Sequence, residues 1–333
     1  MALPASGAIS LNNVNVELGL SGTTLISMNQ ATVRTLFGKA SGAIRMNDGY
    51  GKANEFTATI SSNQTDLNLR TWALANGWGG SSAATITINS SVYVYSTSTS
   101  NAGLVINGSW PGGVTLINNG YIQGRGGTGG SVKDGTPAIS IGVSGVTITN
   151  NSYIGGGGGG GGFSAAGSGG GAGGGPGSSA SYPPSNPGAG AYAGGTGSNA
   201  GPPGRAPDGK SYVYAGSGGG GGGIMPGTGG SGGYSNSIFG RGGGAGGGGG
   251  ADEGINAGGG GSYGGGGSGG SGGNAGSSSS QGGGAGGGGW GASGGTSNSP
   301  AGYPPGGAGG KGIELNGYSV TRNGSGTTYG AVS

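Results

Sequence analysis

Nine carboxylates make up the acidic inventory of this 333-residue chain: Glu17, Asp48, Glu55, Asp66, Asp134, Asp208, Asp252, Glu253 and Glu314. There is no histidine and no cysteine, which removes Ser–His–Asp triads, Cys–His pairs, disulfides and zinc sites together. Glycoside hydrolysis needs two carboxyls opposed across a cleft. The one acidic cluster, Asp252-Glu253, is adjacent in sequence, so extended backbone turns the two side chains apart. Matches to Gly-x-Gly-x-x-Gly are by-products of long glycine runs, because none follows a strand and opens a helix. The chain reads as a non-enzyme with no cofactor and no metal.

Binding is the chemistry that remains. Between the glycine runs lie segments rich in Tyr, Pro, Asn and Ser. Tyr182, Pro183, Asn186 and Tyr192 fall in the first, and Arg205, Asp208, Lys210, Tyr212 and Tyr214 in the next. Met225 follows, then Tyr234, Asn236 and Phe239, and finally Asn298 and Tyr303. Loops of this composition offer rigid aromatic area beside adaptable polar atoms, and proline lowers the ordering cost of contact. These are the candidate binding residues. The same Tyr and Pro also suit a plainer role, capping the sides of whatever holds them. Phe163, Tyr263 and Trp290 sit directly against glycine runs and are expected to cover their faces.

Holding such loops falls to residues 155–310, of which close to half are glycine. The block has six charged residues: Arg205, Asp208, Lys210, Arg241, Asp252 and Glu253. Side chains this poor cannot bury a core. Glycine in an extended left-handed helix with three residues per turn points every N–H and C=O outward, where each needs a partner. Without Cβ atoms, neighbouring columns approach closely and bond laterally. The sequence GGGAGGG recurs at 169–175, 242–248 and 282–288, and the runs are similar in length. A flexible linker shows no such ordering. Collagen's strict triplet is missing. Packed columns are therefore expected, running out from a base and back to it.

The base is read from residues 55–154. Residues 63–78 predict a helix, with Asn63, Thr65 or Asp66 as its N-cap and Gly77 beyond its end. Its two tryptophans, Trp72 and Trp78, read as packing anchors. Residues 114–122 (VTLINNGYI) match 146–154 (VTITNNSYI) at an offset of 32, and 85–94 is a weaker relative. Alternating Val, Thr and Ile followed by an Asn pair predicts three β-solenoid rungs whose corners use asparagine at positive φ. Residues 311–333 supply a strand, 312–320, that rejoins the base.

Residues 1–54 hold a third kind of pattern. SGAISLN at 6–12 returns as SGAIRMN at 41–47, with a looser copy at 21–29. Each copy sets a glycine turn before a short alternating apolar segment. Such units read either as clips that dock onto a partner or their own copies, or as one small β-domain.

Composition bounds the partners. Apolar residues are 30% of the chain, too few for an ordinary globular protein, and the +3 net charge is scattered rather than gathered in a basic stripe. Nucleic acid is not an expected partner. No apolar stretch approaches the ~20 residues of a membrane span. The opening Met1-Ala2-Leu3-Pro4 does not look like a signal peptide, so the chain reads as made in a cytoplasm without insertion into a bilayer.

Several of these stretches resemble the tip adhesins of T-even-type tailed phages: LRTWALANGWG at 69–79, the NNGYI rung, the alternation of glycine runs with loops, and the closing GGKGIELNGYSV at 309–320. The resemblance covers roughly residues 65–333. It implies a mostly β and irregular fold in which a short solenoid-like base carries a sandwich of packed polyglycine-II helices. It further implies a receptor-recognising protein of the virion, at the tip of a long tail fibre, with variable distal loops that meet a host outer-membrane protein or lipopolysaccharide. Residues 1–54 depart from the family and look like a segment found at the start of various phage tail proteins, which implies attachment to a tail fibre or tail protein. The alternative functions are a fibre assembly chaperone or spacer without receptor contact, or a glycine-rich structural protein of bacterial or matrix origin.

Overall fold

Strict alternation of buried and half-exposed residues builds the base. In the computed structural model, which describes residues 3–130, 134–162, 169–177, 285–296 and 305–333, the strands form a succession of three short sides repeated coil after coil. The first coil contributes Phe56–Ile60 (β1), Gln64–Thr65 (β2) and Leu67–Asn68 (β3); the second Ala84–Ile88 (β4), Tyr93–Tyr95 (β5) and Leu104–Asn107 (β6). The third contributes Val114–Asn118 (β7), Tyr121–Gln123 (β8) and Ile139–Gly142 (β9); the fourth Val146–Asn150 (β10), Tyr153–Gly155 (β11) and Ile313–Glu314 (β12). Val320–Asn323 (β13) and Thr327–Tyr329 (β14) follow. All pairings are parallel, in three sheets ordered β1-β4-β7-β10-β13, β14-β11-β8-β5-β2 and β12-β9-β6-β3.

The fold is thus mostly β, a solenoid with few helices. The three expected rungs are present, and the stack extends beyond them at both ends. Residues 312–320 form no single strand: Asn316 (φ 50) and Gly317 (φ 84) turn the chain between β12 and β13. The inward residues Ile86, Leu116 and Ile148 stand in one register row and are at most 1% exposed. With Leu104, Ile106, Ile122, Ile139 and Ile141 they form the main apolar core.

The asparagine corners work differently from the expectation. Asn118, Asn119, Asn150 and Asn151 are not among the positive-φ residues; Ser91 (φ 66) and Asp66 (φ 48) are. Asn118 and Asn150 instead turn inward and bond from coil to coil. Asn118 Nδ2 donates to Asn150 Oδ1 at 2.8 Å, and Asn150 Nδ2 donates to the Thr327 carbonyl at 3.1 Å. A buried amide ladder satisfies itself along the stack, so no strained backbone is required.

The helix of the base is shorter than predicted. It spans Leu69–Ala75 (α3 in chain order), and Asn68, whose Oδ1 accepts from Thr71 N, is its N-cap. Residues 64–65 and 67–68 are claimed by sheet pairing, which outweighs helix propensity there. Gly77 takes the left-handed conformation (φ 97), as expected beyond a helix end. Trp78 is buried and stacks on Trp110, centroids 4.3 Å apart; Trp72 packs against the same core.

Asp66 joins β2 to β3 and is held by the coil above. Its carboxylate accepts from Ser96 Oγ, from Thr97 N and Oγ1, and from Ser98 N. Burial pushes the carboxyl pKa up, but these donors outweigh it, and the native value lies below the ordinary 3.8. A lowered native pKa adds stability above pH 3.8 that disappears as pH falls through the native value. Asp66→Asn is therefore expected to cost about 1 kcal/mol at neutral pH, discounted for partial exposure, with the difference from the parent vanishing in acid. Denaturant titrations at several pH values check this.

The N-terminal repeat region is helical. Each copy runs extended and then opens a short helix: Leu11–Glu17 (α1), Ala31–Phe37 (α2) and the 3-10 turn Met46–Gly49. Ser10 caps α1 in a reciprocal box with Asn13. Ile9, Ile26 and Ile44, one from each copy, pack around the buried Val14, Val33, Leu36 and Phe37. The copies dock on one another. The short alternating segments are too brief to pair as strands, and the apolar residues of the helices that follow them form the shared core.

Candidate functional site

Long excursions leave the solenoid at one corner, between the sheet of β5, β8 and β11 and the sheet of β6, β9 and β12. Residues 124–138 leave there in the third coil, and the glycine block leaves there in the fourth. Residues 155–162 continue straight out of β11 and are buried throughout.

Hydrogen bonds show how this column is held. Amides of Gly156, Gly157, Gly158, Gly159, Gly161 and Gly162 donate to carbonyls of Tyr329, Thr136, Ala172, Ala292, Gly169 and Gly295, at 2.8–3.0 Å. Its carbonyls accept in return: Gly155, Gly158 and Gly161 from Gly124, Gly127 and Gly130; Gly157 and Gly160 from Gly310 and Gly307; Gly159 from Gly288. Partners advance by three residues at a time. That is the repeat of a three-residue turn, whose peptide groups point in successive directions. The column is thereby bonded to segments 124–130, 134–138, 169–172, 285–290, 291–296 and 305–312.

Close approach is what requires glycine here. A Cβ on Gly157 would land on the carbonyl oxygen of Arg125, and one on Gly159 on that of Gly307. Columns with an open side obey the same period in a different way. Pro305, Ala308 and Lys311 recur every third residue along 305–312, and Pro305 and Ala308 are exposed. Arg125 and Thr128 do the same in 124–130. A three-residue repeat returns each third residue to one face, so an open face there accommodates the larger side chains. Asp134 adds a polar tie, its Oδ1 accepting from Ala308 N at 2.7 Å.

Direction follows from register. Segments 124–130 and 291–296 run with 155–162, away from the solenoid; 169–172, 285–290 and 305–312 run against it, back toward the base. Turns at 172–174 and 290–291, with Gly173, Gly174 and Gly291 at positive φ, lie at the base end. The outer ends are at residues 130 and 134, 162 and 169, and 296 and 305.

The inner end rests on an aromatic platform. Tyr93, Tyr121 and Tyr153 stack across three coils with centroids 4.9 and 5.9 Å apart. Burial, with Tyr121 beside it, raises the Tyr93 pKa. Trp290 is wholly buried against Gly155, edge-on to Tyr329 at 5.7 Å, with Ala172 in the same cluster. Trp290 covers a column face, as its place in the sequence suggested; Phe163 and Tyr263 lie outside the described residues. Ala172 and Ala285 are the fourth residues of two GGGAGGG copies and both are fully buried.

Every candidate binding residue, Tyr182, Pro183, Asn186, Tyr192, Arg205, Asp208, Lys210, Tyr212, Tyr214, Met225, Tyr234, Asn236, Phe239, Asn298 and Tyr303, lies outside the described residues. Asn298 and Tyr303 belong to the segment that connects the outer ends at 296 and 305. Sequence reasoning missed that columns begin at residue 124 rather than 155; the signal was there in Gly124, Gly126, Gly127, Gly129, Gly130 and Gly135. It also passed over residues 204–211, GRAPDGKS, which fit the spacing of a phosphate-binding loop. Pro202 and Pro203 before it and Pro207 within it suit neither the strand nor the tight loop that such a site needs, and the segment lies outside the described residues. Among the described residues no cluster of three acidic, His or Cys side chains could hold a metal, and no helix is long and apolar enough to cross a membrane.

Comparison with known proteins bears on what such an arrangement serves. No curated protein matches the chain. The crystal structure of the gp37-gp38 adhesin tip complex of the bacteriophage S16 long tail fiber is similar at 18% identity, covering 99% of this chain and 100% of that one, with a TM-score of 0.44. The family model for the phage tail fibre adhesin Gp38 matches residues 55–223, just over half of the chain, which hold solenoid strands β1–β11 and the first glycine columns. The chain belongs to the phage tail fibre adhesin Gp38 family and is a component of a bacteriophage virion.

Proposed function

We propose that this protein is the receptor-recognising tip of a phage long tail fibre. Residues 1–54 dock to a tail fibre or tail protein, and the solenoid is the base. The glycine columns form a polyglycine-II sandwich whose outer loops meet a host outer-membrane protein or lipopolysaccharide. It works by contact alone, without catalysis.

One observation carries this reading: a column without side chains is bonded on every side, and the segments around it alternate out and back. Such a lattice keeps the outer ends rigid while leaving the connections between them free to vary, since no core depends on their side chains. Loops of Tyr, Asn and Pro on a rigid support bind with little ordering cost.

Exchange of residues 182–214 for the corresponding segment of a phage with a different host tests it. Particles are expected to assemble normally and to adsorb to the other host. Unchanged adsorption specificity with normal assembly would instead favour a spacer, and failed assembly a chaperone.

A further inference from the structure

Among the described residues nothing covers the end of the solenoid at β13 and β14. Above Ile148, Ile154 and Ile313 lies a cup of about 250 Å³, rimmed by Arg322, Asn323, Gly324, Gly326 and Thr328. Strand β13 pairs with β10 on one edge, and among the described residues nothing pairs with its other edge. An unpaired strand edge over apolar side chains is a template for another chain. The simplest occupant is the same end of a second copy, because two identical edges meet about a two-fold axis with β13 against β13 antiparallel and the two cups face to face.

Arg322 stands where that contact would close. Its register partner is Ile148, and the row continues inward through Leu116 and Ile86. Every coil below places an aliphatic residue there; the last places a cation, whose guanidinium forms no hydrogen bond or ion pair among the described residues. We infer that Arg322 is a guard: it prevents two copies of this chain from joining through their open solenoid ends. Tail-to-tail pairing would bring two guanidinium groups into one shared apolar space, where each loses its hydration and repels the other.

Arg322→Ile restores the aliphatic row and is expected to at least double the mass of the soluble protein relative to the parent, by light scattering on a size-exclusion column at matched concentration. Arg322→Lys is expected to behave as the parent. Arg322→Glu alone also stays apart, but an equimolar mixture with the parent associates, because opposite charges then meet across the two ends. This arm uses an exposed polar replacement and reads out even if Arg322→Ile does not fold. Parent-like masses for both folded Arg322→Ile and the mixture would overturn the inference.

Discussion

Gly158→Val is expected to cost about 4 kcal/mol or more and to dismantle the glycine columns, whereas Gly79→Ala changes stability by less than about 0.5 kcal/mol. The difference is geometric. A side chain on Gly158 meets the carbonyls of Gly288 and Gly289 and the amide of Ala172, all backbone atoms of neighbouring columns, and none can yield without breaking hydrogen bonds. Around Gly79 nothing lies within 4 Å of an added Cβ. Chemical denaturation compares the two, and limited proteolysis locates the damage. Cleavage within 124–138 and the glycine block, with the solenoid strands of residues 56–123 and 139–155 still resistant, is the expected pattern for the valine variant. Equal stability of the two variants would mean that the columns are not packed as described.

Trp290→Ala carries the second large effect. Its indole is fully buried between Gly155, Ala172 and Tyr329, where columns 285–290 and 291–296 turn at the base. Removing it leaves a cavity beneath the lattice, at an expected cost of about 3–5 kcal/mol. Trp290→Phe retains most of the packing. It also discards an indole N–H that is buried without a hydrogen-bond partner among the described residues, so it should cost no more than about 1–2 kcal/mol. The ranking of the two, measured by urea unfolding, separates loss of packing from loss of the polar group. If alanine and phenylalanine prove equally harmless, Trp290 does not anchor the lattice to the solenoid.

Alternation made the solenoid legible. Val114, Leu116, Val146 and Ile148 sit at every second position between threonines, and that period admits only one buried face. The return of the C-terminal segment was readable for the same reason. Its course through a turn at Asn316 and into a further coil was not, because two-residue strands carry too little pattern. Helix limits failed where pairing competed: Gln64, Thr65 and Leu67 look helical beside Leu69, yet each finds a strand partner in the next coil. The N-terminal repeat was visible as a repeat, but its helices are only two turns or less, too short to show a period, and the first is marked only by its Ser10 cap.

For the lattice, the all-glycine column and the GGGAGGG copies pointed to lateral packing. The triplet period was hidden because it survives only at open faces, as in Pro305, Ala308 and Lys311, and is erased wherever a column is enclosed. Residues 124–138 escaped notice through brevity. The binding residues rest on composition and on the topology of the outer ends, since shape complementarity to a receptor leaves no periodic trace in a sequence.

The account stands on peptide groups replacing an apolar core, each lateral bond contributing about 0.5–1.5 kcal/mol net and the set acting together. Amide hydrogen exchange, resolved residue by residue, tests this most directly. Gly156, Gly157, Gly158, Gly159, Gly161 and Gly162 are expected to be protected to the same degree as the strand amides of Val146–Asn150, because both sets open only when the cooperative structure does. Exchange of those six amides at the rate of an unstructured glycine peptide, with Val146–Asn150 still protected, would contradict it.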